Sequence, residues 1–441
     1  MKRTVQLIKI LMITLIFSFH SCIPDRSGGR KTDTDTELIT QNVFFKPTVN
    51  VYIENSASMD GYVKGITEFE LAVYSYLSDI KIADVTDALN LFYINSETIP
   101  YATIADIDVI SDFIEKLEPN EFKRRGGNRA TTDISNIIKD MLSETDENDV
   151  AVLVTDGIFS PGRGKDAAEY LVNQQIGIKN TIAGYLKKYP NTSITVYQLS
   201  SKFTSNVAEN IYYYNREDKK IIVNDQRPYY IWVIGNINNI ALLKASIPEK
   251  KFKGGGIKNS YTLLPFVSED IDYAILSNPK IGEFKRNKNN PKTSIYDLKI
   301  AQSGAHKGNF MFTIGMDLSY FSILLGDEYL MNTENYVRLI NKQPNNSYYI
   351  EIEQNTNPSS KYTHNMKLTT NQLSYGELEI ALRNQIPQWA YDINDEEGLD
   401  IFKGSSINQT FGFKFLVEGI YEGFISQGNE FYSVMKLNLK K

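Results

Sequence analysis

The sequence predicts an α/β fold: a doubly wound, mostly parallel sheet followed by a β-rich, sandwich-like second domain. Three observations carry this expectation. From about residue 47 to 247, apolar runs of strand length alternate with segments of helical period. The run DVAVLVTD (149–156) is apolar at successive positions, as in a strand buried on both faces of a parallel sheet. From about residue 256 the apolar period changes to two, which argues for short amphipathic strands.

The chain opens with the basic stretch MKRTVQLIK and the apolar stretch ILMITLIFSF. Ten apolar residues are too few to span a bilayer, so this reads as the apolar core of a signal peptide. Ser21 directly before Cys22 looks like a bacterial lipoprotein cleavage site, with Phe19 where leucine is usual. A short uncleaved anchor and a plain secretory signal are the alternatives. On the lipoprotein reading residues 1–21 are removed and Cys22 carries the lipid, so membrane attachment is through that lipid alone. The protein would then sit in the cell envelope, on either the periplasmic or the surface side. Cys22 is the single cysteine, which excludes an intramolecular disulfide and a cysteine metal cluster. Cleavage takes away Lys2, Arg3 and Lys9 and no acid, so the net charge falls from −6 to −9. An acidic chain has no electrostatic reason to bind nucleic acid. The polar, glycine-containing stretch after Cys22 lacks an apolar period, and residues 22–46 read as a tether.

Residues 47–247 form the first expected domain. TVNVYIE (48–54) reads as a strand and TEFELAVYSYLSDI (67–80) as a helix, with Ile66, Phe69, Val73, Tyr76, Leu77 and Ile80 on one stripe. Thr67 and Glu70 have the spacing of a capping box. Then follow strand 89–95, helix 109–117 and helix 134–144, whose apolar face holds Ile134, Ile137, Ile138, Met141 and Leu142. After strand 149–156 come a long helix within 165–188, strands 193–200 and 229–236, and helix 237–246. Such alternation argues for a parallel sheet covered by helices. The triplet GGG (254–256) marks the expected linker. Residues 256–441 form the second domain, with alternating strands in NFMFTIGMD, YYIEIEQ, GELEIALRN and VMKLNLK and one helix over 410–424.

Ligands of open parallel sheets bind at the carboxyl ends of the strands. Three segments would meet there: ENSASMDG after the first strand, GGNRATTDIS (126–135) at a helix start, and LVTDGIFSPGRG (153–164) after the buried strand. Together they resemble a von Willebrand factor A domain with its metal-ion-dependent adhesion site. Glu54, Ser56 and Ser58 stand at the family's Asp-x-Ser-x-Ser positions, Thr132 matches its threonine and Asp156 its final acid. The resemblance covers roughly residues 47–247 and implies a Mg²⁺ or Mn²⁺ ion. Its ligands would be the hydroxyls of Ser56, Ser58 and Thr132, with charge from Glu54 and Asp156. Hard cations take such oxygen ligands. Mostly neutral direct ligands leave the ion able to accept a carboxylate from a protein partner.

One departure is Glu54, where the family has aspartate; it reaches roughly 1.5 Å further, about one C–C bond. The longer side chain can contact the ion directly or misplace its carboxylate. A second is the basic run Lys123, Arg124, Arg125 and Arg129. It reads as a solvated face, as a rim attracting an acidic partner or anion, or as the source of a guanidinium that replaces the ion on Glu54 or Asp156.

Other candidates point less clearly to chemistry. Asp60 reads as a turn residue, with a supporting position behind the metal ligands as the alternative. DINDEEGLD (392–400) departs from EF-hand spacing and reads as an acidic solvated loop. His306 and His364 lie in the β region with nothing to place a serine beside them. SPGRGKD (160–166) lacks the spacing of a phosphate loop. The function expected is therefore a lipid-anchored extracytoplasmic binding protein rather than an enzyme. A metal-dependent hydrolase and a metal-free structural component of an envelope assembly are the alternatives.

Overall fold

The computed structural model describes residues 46–130, 133–267 and 271–441. The signal and lipid readings, the tether reading up to residue 45 and Thr132 lie outside the described residues; Lys46, the last tether residue, pairs with Asp84.

Helix α1 (Glu68–Ile82) follows its sequence signals closely. Thr67 is extended, and its hydroxyl accepts from the Glu70 amide at 3.4 Å. Phe69, Val73, Tyr76, Leu77 and Ile80 are buried. Ile66 does not join the expected stripe; it precedes the cap and is 90% exposed, because helical spacing begins only at Glu68.

The first layer contains strands β1 (Thr48–Glu54), β2 (Ala88–Ile94), β3 (Thr98–Ala102), β4 (Val150–Thr155) and β5 (Thr192–Thr204). A small hairpin, β6 (Tyr213–Tyr214) and β7 (Lys220–Ile221), leads to β8 (Asn224–Asn236), and β9 (Asn259–Leu263) follows. The helices are α2 (Ile107–Glu115), α3 (Pro119–Arg124), α4 (Ile134–Ser143), α5 (Ala167–Lys188) and α6 (Ile237–Ser246). One seven-stranded sheet runs in the order β3-β2-β1-β4-β8-β5-β9.

The expectation of a mostly parallel sheet is corrected here. Only the β1–β2 and β1–β4 pairs are parallel. The pairs β2–β3, β4–β8, β5–β8 and β5–β9 are antiparallel. The cause lies between β5 and β8. A parallel neighbour needs a long crossover, usually a helix, and residues 205–223 hold only the two-residue strands of a hairpin. The chain therefore turns back, and β8 lies between β4 and β5.

Alternate side chains of the strands enter two cores. Val49, Val51, Ile53, Val150, Val152 and Val154 face one core with apolar residues of α1, α2 and α6. Tyr52, Ala151 and Leu153 face the other with α4 and α5.

The rest of the chain is β-rich. In order it forms β10 (Tyr273–Ile275), β11 (Glu283–Arg286), β12 (Ser294–Lys299), β13 (Phe310–Met316), α7 (Ser319–Leu325) and α8 (Asp327–Met331). Then come β14 (Tyr336–Ile340), β15 (Gln343–Pro344), β16 (Tyr349–Gln354), β17 (His364–Thr370), β18 (Gly376–Arg383) and α9 (Gln388–Asp392). The last elements are β19 (Asn394–Asp395), β20 (Thr410–Phe411), α10 (Phe413–Ile425) and β21 (Phe431–Leu439). Two larger sheets result, β10-β13-β17-β16 and β11-β12-β21-β18-β14-β15, beside the two-stranded β19-β20. The helix expected over 410–424 is α10; it starts at Phe413 because Thr410 and Phe411 pair with β19 and Gly412 takes a left-handed φ of 79°.

This second region also completes the first layer. Strand β9 pairs along β5, and α10 joins the core formed by α4 and α5. The GGG stretch is a packed turn: a side chain at Gly254 would collide with the Glu68 carbonyl at the start of α1.

Candidate functional site

Strand β1 is a switch point. From β1 the chain reaches β2 on one side through α1, and later β4 on the other through α2, α3 and α4. Crevices of this kind open beyond the carboxyl ends of the strands. Glu54 ends β1 and Asp156 directly follows β4, so the two acids leave adjacent parallel strands at the same end. Glu54 is 2% exposed and Asp156 1%.

Their immediate partners are hydroxyls and amides. Thr155 Oγ1 donates to Glu54 Oε2 at 2.5 Å and accepts from the Gly157 amide at 2.9 Å. Asp156 Oδ1 accepts from the Ile158 amide at 3.1 Å. Asp156 Oδ2 is buried and makes no hydrogen bond of good geometry among the described residues, although the Ser58 hydroxyl lies near enough to act on the carboxylate. The Ser56 and Ser58 hydroxyls lie 2.9 Å apart, linked by a single shared hydrogen bond.

The charges follow from burial. Glu54 is pushed up to about 8, first by loss of solvent and then by the Asp156 charge; the Ser56 and Thr155 hydroxyls act in the opposite direction. Burial also raises Asp156, opposed by the Ser58 hydroxyl, the Ile158 amide and the Arg227 charge. Two such acids close together resist joint ionisation unless a cation joins them.

The loop carrying the serines is held from behind. Its Asn55 amide donates to the Ile94 carbonyl at 3.0 Å, and Asn55 Oδ1 accepts from Asn95 Nδ2 at 2.9 Å. Asn95 Nδ2 also donates to the Gly126 carbonyl at 3.0 Å, tying in the second loop. Arg129 braces the two loops. Its carbonyl accepts from the Ala57 amide at 3.0 Å, while its Nε and Nη2 donate to the Asn55 and Ser56 carbonyls at 2.6 and 3.1 Å. The same guanidinium pairs with Asp60, which is therefore a buried ion-pair partner rather than only a turn residue.

The basic run does not replace a cation. Lys123 Nζ donates to the Glu209 carbonyl at 3.0 Å, and Arg124 and Arg125 both pair with Glu121. With Arg129 on Asp60, none of the four reaches Glu54 or Asp156. Thr132 lies outside the described residues. Its neighbour Asp133 caps α4 through the Ser135 and Asn136 amides and accepts from Gln174 Nε2 at 3.0 Å.

Arg227, Thr155 and Asn95 are contributors that sequence reasoning passed over. Arg227 in β8 is 1% exposed and lies over the Tyr213 ring, 4.9 Å from its centre. Its Nη1 donates to the Ser406, Ile407 and Gln409 carbonyls at 3.1, 2.6 and 2.9 Å. A segment from the β-rich region is thereby fastened beside the site. The signals were a threonine closing an aliphatic strand and an arginine just before the run YYIWVIG.

The acidic stretch 392–400 uses its charges locally: Glu396 pairs with Lys414, Glu397 with Lys403, and Asp395 caps the Glu397 and Gly398 amides. His364 is buried 3.9 Å from Asp327, and burial lowers its pKa. The neighbouring Thr363 hydroxyl accepts from the Leu318 amide at 2.8 Å and lies 2.9 Å from His364 Nδ1.

Among the described residues no three His, Cys, Asp or Glu side chains gather as a metal cage. The Glu54–Asp156 site offers a different donor set: two acids, one of them with an orphaned carboxylate oxygen, and two serine hydroxyls. All are hard oxygen donors, the class that suits Mg²⁺ or Mn²⁺. No described helix is long and apolar enough to cross a membrane. No known family, curated protein or solved structure matches the chain.

Proposed function

We propose that the protein is a lipid-anchored extracytoplasmic binding protein whose first layer works as a von Willebrand A-like domain. Its site would hold Mg²⁺ or Mn²⁺ through Ser56, Ser58, Thr132, Asp156 and Glu54. The ion would then accept a carboxylate from a protein partner. The observation that carries this reading is the unpartnered, buried Asp156 Oδ2 beside the paired serine hydroxyls. A buried acceptor left unmade costs about 1–3 kcal/mol, more when charged, and a cation removes that cost. It also relieves the repulsion between Glu54 and Asp156. The Arg129 brace supports the reading further, because it fixes the serine loop without spending the two acids.

One observation favours a metal-free structural role. The Thr155–Glu54 and Ser56–Ser58 hydrogen bonds already satisfy part of the site, with Glu54 inclined to keep its proton. Isothermal titration with Mg²⁺ and Mn²⁺ separates the two. The binding reading expects uptake of one ion, lost in Ser56→Ala with Ser58→Ala and in Asp156→Asn. Absence of uptake by the wild-type protein, or uptake indifferent to these changes, leaves the structural role.

A further inference from the structure

Arg227 is bound through one of its nitrogens only. Nη1 serves the Ser406, Ile407 and Gln409 carbonyls. Nε and Nη2 are buried and make no hydrogen bond of good geometry. Those two nitrogens form one edge of the guanidinium, a fork able to hold a carboxylate by two parallel bonds. A buried donor left unmade is costly, more so on a charged group.

Asp156 has the complementary want, because its Oδ2 is also buried without a well-formed bond. The two residues are neighbours by register. Thr155 stands opposite Tyr230 in the antiparallel β4–β8 pair, so Asp156 falls level with Tyr229 and Arg227 two residues further along β8. Val154 and Tyr229 enter the same core, and the alternation of strands puts Asp156 and Arg227 on that side as well. Tyr62 and Tyr213 feel both charges, and the Arg227 charge acts on Asp156 itself. Yet neither group satisfies the other. A divalent ion and the Arg227 fork would both seek Asp156 Oδ2, and two cations repel strongly in a dry site.

We propose that Arg227 is a gate on the cation: its guanidinium competes with the ion for Asp156 and, through Nη1, passes the ion's arrival to residues 406–409. The gate presupposes the ion at Glu54 and Asp156 proposed above. An ion on Asp156 drives the guanidinium onto the three carbonyls and tightens that segment. Loss of the ion lets the fork close on Asp156 and slackens it. Two distinct places, the ion site and a segment of the β-rich region, then share one coupling free energy.

The test is titration calorimetry with Mn²⁺ on the full chain and on Arg227→Gln and Arg227→Met, joined to amide hydrogen exchange over residues 399–412. Glutamine keeps a donor for the carbonyls and removes the charge. Both variants should bind Mn²⁺ about tenfold or more tightly than the wild type, the direction set by removing a nearby positive charge. An arginine that only held the segment in place would, when lost, weaken binding instead. Mn²⁺ should slow exchange over 399–412 in the wild type and leave it unchanged in Arg227→Gln. Equal or weaker binding by an Arg227→Gln protein with the wild-type near-ultraviolet circular dichroism overturns the gate and leaves the ion site standing. Mn²⁺ uptake by the wild type with no change of exchange over 399–412 overturns the coupling without recourse to any variant. Uptake by the variants alone supports both the site and a gate that holds it shut. No uptake by any of the three proteins overturns the ion site, and the gate with it.

Discussion

Glu54 holds its proton in the folded chain at a pH where the unfolded chain has released it. The sign follows from linkage. Its folded pKa of about 8 lies above the ordinary glutamate value of roughly 4.3, so the folded state binds more protons between the two. Stability is then fully present below that window and falls as pH rises through it. Asp156, also raised, pulls in the same direction. In chelator, the thermal midpoint should decline from pH 5 to 8.5, and Glu54→Gln should flatten the decline. The glutamine keeps an acceptor for Thr155 and removes the repelling charge. Parallel profiles for the two proteins would sink this account. A second residue-scale prediction concerns Arg129. Its side chain is 14% exposed and that of its partner Asp60 4%. Removing one member of a buried pair strands the other, at a cost of about 3–5 kcal/mol. Arg129→Met should lose at least that much in urea unfolding, and adding Asp60→Leu should restore only the share due to the stranded carboxylate, because the Asn55 and Ser56 carbonyls stay without their donor. At this scale the sequence was legible where a motif spans a few residues, as in Glu54, Ser56 and Ser58. It was silent on where the long side chain of Arg129 would reach, because Asp60 and the loop carbonyls meet it only after folding.

Helices α5 and α10 touch through backbone as much as side chains. Gly419 and Gly423, one turn apart on α10, lie against Gln175 and Ile178 and against Lys179 and Ile182 of α5. A β-carbon at Gly423 would sit 2.7 Å from Ile182, closer than packed carbons come. Gly423→Ala gains up to about 1 kcal/mol of helix propensity but overpacks the contact at a cost of about 1–3 kcal/mol. The expected net loss is about 1 kcal/mol or more in denaturant unfolding. Gly184→Ala is the control: on α5 with no atom within 4 Å of the new carbon, it should stabilise. Equal effects at both positions would dismiss the close-contact explanation. Much of the element identity in the first layer was readable, but β3, α3, the β6–β7 hairpin and β9 were not expected from the sequence. Strand 48–54 and helix 237–246 fall where their patterns put them. Strand direction was not, although a clue existed. The stretch 201–228 has no helical period, so β5 and β8 had no crossover to make them parallel neighbours. Apolar pattern reports burial, and β8 is buried on both faces whichever way it runs.

The two halves of the chain share structure rather than meeting at a surface. Strand β9 closes the seven-stranded sheet, with Leu263 opposite Ile194 and Asn259 opposite Gln198. The same strand is gripped from the β-rich region: Tyr432 donates to the Thr262 carbonyl at 2.7 Å, and Tyr261 to Asn384 at 3.3 Å. Phe413 of α10 stacks on Tyr230 of β8 with ring centres 4.3 Å apart. Arg227 holds three carbonyls of the segment before β20, and Asn215 donates to the Leu399 carbonyl at 3.0 Å. Without residues beyond 256, β5 would present a bare edge, and α5 and β8 would expose the apolar surface that α10 covers. Buried Arg227 would lose every Nη1 acceptor. Interlocked parts unfold together, because neither core is complete while the other is open. Calorimetry of the whole protein should therefore show one transition whose calorimetric and van't Hoff enthalpies agree. Residues 46–247 expressed alone should lack a sharp near-ultraviolet circular dichroism spectrum and a cooperative melt. Two resolved transitions, or a native-like spectrum from the isolated first half, would mean that β9, α10 and the Arg227 latch decorate a layer able to stand without them.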